Sequence, residues 1–286
     1  MQKLNFQDHR RTLHENRYVY AVISRRAKGL SIGINLNPDK SCNFACPYCQ
    51  VDRTVAGGER RVDIDVLREE LQRLLEWVEN GVLWDIAPFN TAAPALRIVR
   101  DVSFAGDGEP TSCAQFAEAV SCTGELLRRF GLQDVKFQLL TNATLFHKKR
   151  VRDALSLFAS FGGVIWAKLD AGTEPWFQRV DGTRFPFDKI LQNIEWASQQ
   201  QSLVIQAMFH RFGEEAPTAK EIHAWCHRIL TILENKGRIS LVQIYSVARQ
   251  PADKSVQPLA RAELVRIKEQ LESVICQHPD VEVLVY

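Results

Sequence analysis

Ser103-Phe104-Ala105-Gly106-Asp107-Gly108-Glu109-Pro110-Thr111 is the stretch on which the reading of this chain turns. An apolar run beginning near Leu96 leads into it, so it reads as a strand ending in a glycine turn. The helical pattern of residues 115–130 follows directly. Strand, turn and helix in that order form the repeating unit of a parallel sheet with right-handed crossovers. Two glycines let the backbone of the turn approach a ligand closely. Glu109 adds one carboxylate there, suited to hold an ammonium group.

The same unit recurs on both sides. Strand-like runs fall at 31–36, 98–105, 135–141, 164–170, 203–210, 239–247 and 281–286, after a lead-in strand at 18–23. Helical patterns occupy 65–80, 115–130, 148–161, 187–200, 219–234 and 261–277. In the first of these, Val66, Leu67, Leu71, Leu74, Leu75 and Val78 recur at helical spacing, and Gly81 is a natural stop. About six such units predict an α/β fold, a partial (β/α)6 barrel of parallel strands open to one side, with its site at the strands' C-terminal ends. Residues 1–286 read as a single domain: 1–30 an N-terminal extension, 31–247 the barrel core, 248–286 a closing loop, helix and strand. Residues 87–94 read as a loop before the second strand, and 249–258 as a loop placed to cover the site.

After the strand at 31–36 comes Cys42-x3-Cys46-x2-Cys49. Three thiolates on one short loop can hold three irons of a [4Fe–4S] cluster and leave the fourth iron open to a small molecule. Pro47 and Tyr48 stiffen and cover the loop, and Asn43 can hydrogen-bond back to the turn. The same sulfurs can instead hold zinc with a distant fourth ligand, such as Cys113 or a histidine.

With the cysteine loop first and the Gly106-Asp107-Gly108-Glu109 turn second, the chain resembles the radical S-adenosylmethionine (SAM) superfamily. Ser24-Arg25-Arg26, Gly29-Leu30-Ser31-Ile32-Gly33-Ile34-Asn35-Leu36, Thr141-Asn142, Lys168-Leu169-Asp170-Ala171-Gly172-Thr173 and Gln243-Ile244-Tyr245-Ser246-Val247 extend the likeness. They look like the group that includes the wyosine-pathway tRNA enzyme. That enzyme carries extra cysteines for a second cluster ahead of its main motif, whereas this chain has none before Cys42, so its tRNA activity is not implied. The resemblance implies that Cys42, Cys46 and Cys49 hold a [4Fe–4S] cluster. It implies that Gly106, Gly108 and Glu109 receive the methionine amine of SAM, and that Asn142 and Asp170 contact its ribose or methionine part. The implied reaction is reductive cleavage of SAM to a 5′-deoxyadenosyl radical that abstracts hydrogen from a polar substrate. An RNA base, a peptide or a metabolite would serve, with the electron from a flavodoxin- or ferredoxin-type donor.

Alternation along 164–170 puts Trp166, Lys168 and Asp170 on one face and Ile165, Ala167 and Leu169 on the other. Lysines are seldom buried unless paired. Lys168 is therefore a candidate catalytic residue or, on the plainer reading, half of a structural ion pair with Asp170. Gln138 with Asn142, Gln206 with His210, and Gln243 with Tyr245 extend a polar face over successive strands. His223 and His227 have a metal-binding spacing on a helix but no third ligand, and read as an ordinary surface helix. Cys113, Cys122, Cys226 and Cys276 read as packing residues.

Composition sets the remaining bounds. Apolar content of 45% and charged content of 24% are those of an ordinary globular protein. No run approaches the roughly 18 apolar residues that span a bilayer, and residues 1–8 are polar where a signal peptide needs an apolar core. Seven cysteines, three packed in one loop, argue against a disulfide framework and for a reducing cytoplasm. A net charge of +2 neither supports nor excludes nucleic acid, and Arg60-Arg61, Arg128-Arg129 and Lys148-Lys149-Arg150, which could touch phosphates, read as solvated helix ends. The competing reading is a non-catalytic iron–sulfur or zinc sensor or scaffold. The Glu109 turn favours the enzyme, since a sensor needs no amine-binding carboxylate there.

Overall fold

The computed structural model describes residues 13, 16–24, 27–249, 251 and 253–286. Residues 1–8, Arg25 and Arg26 of the Ser24-Arg25-Arg26 match, and Gln250 and Ala252 of the 249–258 loop lie outside the described residues. Among the described residues ten strands are formed: β1 (Val19–Ser24), β2 (Gly29–Ile34), β3 (Val99–Phe104), β4 (Lys136–Thr141), β5 (Val164–Lys168), β6 (Leu203–Met208), β7 (His210–Phe212), β8 (Ile239–Tyr245), β9 (Val256–Pro258) and β10 (Glu282–Val285). The helices are α1 (Ile64–Glu79), α2 (Phe116–Arg129), α3 (Lys149–Ser160), α4 (Glu174–Asp181), α5 (Phe187–Gln200), α6 (Ala219–Glu234) and α7 (Arg261–Val274). Eight strands make one mostly parallel sheet, and β7 and β9 pair separately. This is the α/β barrel-type architecture expected from the alternation.

The chain divides into two compact units. The first holds Met1–Ser41, Ala56–Leu140 and Lys148–Val164. In it β2, β3 and β4 run parallel in that order, and β1 joins β2 as an antiparallel edge. The link from Ser24 to Gly29 is too short for the crossover that parallel pairing needs, so the lead-in strand turns back as a hairpin. Its core is aromatic. Phe104 lies 5.8 Å from Phe116 and 5.5 Å from Phe137, and Phe158 lies 4.6 Å from Phe137 by ring centroids, all four rings being buried. Asp63 caps α1, accepting from the Asp65 and Val66 N–H groups, and Gly81 takes φ 79 just past its end.

The second unit holds Cys42–Val55, Thr141–His147 and Ile165–Tyr286. Its strands β5, β6, β8 and β10 run parallel in that order. Ile165, Ala167, Val242 and Ile244 are fully buried on the helix-facing side, opposite Trp166 and Lys168. Trp225 of α6 is completely buried, packs edge-on against Phe209, and donates its indole N–H to the Leu169 carbonyl at 2.9 Å. The expected 249–258 loop contains β9, which pairs antiparallel with β7 at the end of β6. Cys276 is exposed beyond the end of α7, not packed in a helix as expected, because α7 stops at Val274. Among the described residues no helix is long and apolar enough to cross a membrane.

Candidate functional site

The cysteine loop belongs to the second unit and is held there from several directions. Cys42, Cys46 and Cys49 form no disulfide and are each partly buried, and the Cys49 N–H bonds the Cys46 carbonyl at 2.9 Å, closing the turn that Pro47 favours. Asn43 donates its side-chain amide to Thr144 Oγ1 at 2.6 Å and accepts from the Asn142 amide at 2.7 Å. Asn142 also takes the Thr144 N–H and hydroxyl, so it closes the turn after β4 while gripping the loop. Phe44 packs edge-on against Phe177 of α4 at 5.7 Å. The Arg53 guanidinium donates to Cys49 Sγ at 3.2 Å, a charge-assisted bond of the kind an anionic sulfur accepts.

Beneath the loop lies a buried polar cluster. Asp170 is 1% exposed; its Oδ1 accepts the Met208 N–H at 2.9 Å and its Oδ2 accepts the Tyr48 hydroxyl. That first bond stands in for sheet pairing where β5 has ended, which is why the strand stops at Lys168 instead of running on to 170. Lys168 Nζ sits 2.7 Å from Asp170 Oδ2, and it also forms an ion pair with Asp181 at the end of α4. Its ammonium lies over the Tyr48 ring at 5.1 Å and the Phe44 ring at 5.4 Å. Burial, with Asp170 next, pushes the Tyr48 phenol well above its usual range, so it stays a donor. Burial likewise raises the Cys46 thiol, an effect that Lys168 opposes.

His210, at the start of β7, is 1% exposed, and neither ring nitrogen has a hydrogen-bond partner. Its ring meets Tyr48 and Phe212 edge-on, with centroids 5.2 and 4.9 Å away. Burial lowers its pKa to about 4, which keeps the imidazole neutral. On the neighbouring strands Gln206 donates to Gln243 at 2.9 Å.

The glycine turn belongs to the first unit. Asn35 accepts the Asp107 N–H at 3.0 Å and donates to Asp107 Oδ2 at 2.9 Å, which fixes the turn to the end of β2. A Cβ on Gly106 would lie 2.2 Å from Asn35 Oδ1, and one on Gly108 would lie 2.0 Å from the carbonyl of Ser41, the residue preceding Cys42. Glycine is therefore needed at both positions by the protein's own packing. Glu109 is 2% exposed, caps the short turn at Pro110–Ser112, and accepts from the Thr111 N–H at 3.1 Å and from its hydroxyl.

The residues expected from the sequence thus fall into two groups: Cys42, Cys46, Cys49, Asn142, Lys168 and Asp170 in the second unit, and Gly106, Gly108 and Glu109 in the first. Asp181 was missed, together with all of α4. Eight residues are too few to display periodicity, yet the punctuation was present: Thr173 at the N-cap, Pro175 in the first turn, and Gly182 at φ 55 after the end. His223 and His227 are exposed with their Nε2 atoms 3.1 Å apart. Among the described residues no three His, Cys, Asp or Glu side chains converge as a single-ion site requires. The donor set of the loop, three partly buried soft thiols outside any disulfide with a cationic donor on one of them, fits an iron–sulfur cluster.

No family model matches the chain. A UPF0026 protein of Helicobacter pylori strain 26695 is 26% identical over 265 residues, which covers 90% of this chain and 74% of that protein. A UPF0026 protein of Methanocaldococcus jannaschii is 25% identical over 181 residues, covering 61% of this chain and 48% of its own. A radical SAM methyltransferase from Sphaerobacter thermophilus superposes with a TM-score of 0.62 at 10% identity, over 96% of this chain and 71% of its own. SuiB of Streptococcus suis, solved bound to S-adenosylmethionine, superposes with a TM-score of 0.59 at 15% identity over 92% of this chain. This chain spans about half of SuiB, 52% of its length. In fold, as in the order of its cysteine and glycine motifs, this chain resembles the radical SAM superfamily.

Proposed function

We propose that this protein is a radical SAM enzyme acting on a polar substrate, with residues 1–286 working as one catalytic domain. Cys42, Cys46 and Cys49 hold a [4Fe–4S] cluster. Gly106 and Gly108 bring backbone close to the methionine end of SAM, and Glu109 takes its ammonium. Asp170 and Asn142 orient SAM, and Lys168 supplies positive charge beside the loop. When bound, the cluster and SAM together supply a one-electron reduction of the sulfonium that yields a radical able to abstract hydrogen from carbon. The chain's own task is to hold the cysteine loop rigid, fix SAM in one orientation, and present polar groups such as Gln206 and Gln243 to the substrate. A flavodoxin- or ferredoxin-type protein delivers the electron.

The observation that carries this reading is the anchoring of three cysteines, none in a disulfide, on a loop tied to strand ends by Asn142 after β4 and by Asp170 after β5. A loop merely needing to be covered would not recruit a half-buried lysine and two buried carboxylates. The test is EPR of the reduced, anaerobically reconstituted protein with and without SAM. A SAM-dependent change in the spectrum, weakened in Glu109→Gln and Asp170→Ala, is the expected result. A spectrum that SAM leaves unchanged favours the sensor, and unaltered SAM affinity in Asp170→Ala would remove that residue's assignment.

A further inference from the structure

The Cys46 thiol points at a carboxylate: its Sγ lies 3.7 Å from Asp181 Oδ1, and the Asp181 side chain is only 2% exposed. A thiol can donate to that oxygen, but a thiolate cannot. Once Cys46 is a ligand, two anions face one another in a buried setting, where their repulsion is several-fold stronger than in water. Lys168 makes the arrangement tenable, since its ammonium is ion-paired with Asp181 and also lies 2.7 Å from Asp170 Oδ2. The same short segment seats the loop backbone. The Ala45 N–H donates to the Asp181 carbonyl at 3.2 Å, and the Thr183 hydroxyl donates to the Asn43 carbonyl at 3.5 Å. Between them Gly182 holds φ 55, and a Cβ there would stand 2.2 Å from the Ala45 carbonyl oxygen.

We propose that the Asp181–Lys168 pair is a positioning device for the cysteine loop and an electrostatic control on the cluster. Asp181 seats the loop and puts a fixed negative charge beside Cys46, and Lys168 compensates it. Together they set the potential at which the cluster accepts one electron. The proposal rests on the radical SAM reading, because it requires a cluster on Cys46. Neither residue transfers a group or a proton; Asp181 acts through the Cys46 sulfur it faces, by charge and hydrogen bonding, and Lys168 acts through Asp181, by its charge.

Charge fixes the expected signs. Asp181→Asn removes an anion of nearly the same shape and can turn an amide N–H toward the sulfur; both effects stabilise the more negative, reduced cluster, so the potential rises. Lys168→Met leaves the carboxylates uncompensated, and the potential falls. Lys168→Arg keeps the charge and stays near wild type. The experiment is an EPR-monitored redox titration of anaerobically reconstituted wild type and the three variants, with iron content measured on each and dithionite as reductant. Opposite shifts in Asp181→Asn and Lys168→Met, with Lys168→Arg unmoved, are expected. If Lys168→Met does not fold, a positive shift in Asp181→Asn against an unmoved Lys168→Arg carries the same conclusion. Equal potentials in fully loaded wild type and Asp181→Asn would overturn the proposal, as would shifts of one sign in both. Failure of wild type to take up a cluster is a different result, and it would remove the enzyme reading itself.

Discussion

The imidazole of His210 stays neutral in the folded protein down to about pH 4, whereas in the unfolded chain it takes up a proton near its ordinary value of 6.5. Between those values the unfolded state binds the extra proton. The stability this burial allows is therefore complete above pH 6.5 and is lost as pH falls through 4. At about 1.4 kcal/mol per unit, roughly 2 kcal/mol should disappear between pH 7 and pH 5 on this account alone. Thermal or denaturant unfolding of wild type and His210→Gln at the two pH values checks this. Wild type should lose about 2 kcal/mol more than the variant, and parallel losses would show that the ring is not buried and neutral. The polar face bearing Lys168 and Asp170 was legible in the sequence, because alternation on a strand assigns faces without knowledge of the partners. Asp181 was not. Its importance comes from a lysine thirteen residues earlier and a cysteine far upstream, and no local pattern records that meeting.

Among the elements, α4 and the turn after it are where one methyl group should matter most. At Gly182, alanine meets both a left-handed backbone conformation, unfavourable by about 1–2 kcal/mol for an L-residue, and the Ala45 carbonyl. Gly182→Ala is expected to loosen the cysteine loop. Its iron-to-protein ratio after reconstitution should fall below that of wild type, and undiminished loading would contradict this seating of the loop. Gly108→Ala pushes on the Ser41 carbonyl, so weaker SAM binding, measured by equilibrium dialysis of the loaded protein, is expected there. The long helices were legible from their periodicity nearly to the residue: 219–234 and 187–200 coincide with α6 and α5. What escaped were the short elements α4, β7 and β9, because three to eight residues leave no period to count and their ends are decided by contacts.

For the molecule as a whole, β-then-α alternation was enough to give the fold class, since parallel strands joined by helices admit few arrangements. The antiparallel β1 departs from that pattern only because its link to β2 is short. The Phe104, Phe137 and Phe158 cluster also follows from apolar positions in strand and helix runs, and Phe158→Ala should destabilise the protein by about 3–5 kcal/mol in denaturant unfolding. The proposed activity depends on something no fold supplies by itself, a cluster and SAM brought together by residues far apart in the chain. The most direct measurement is release of 5′-deoxyadenosine from anaerobically reconstituted protein given SAM and dithionite, with Cys49→Ala as control. Release by wild type that vanishes in Cys49→Ala is expected. No release from protein carrying a full cluster, together with an EPR signal that SAM does not alter, would contradict the account.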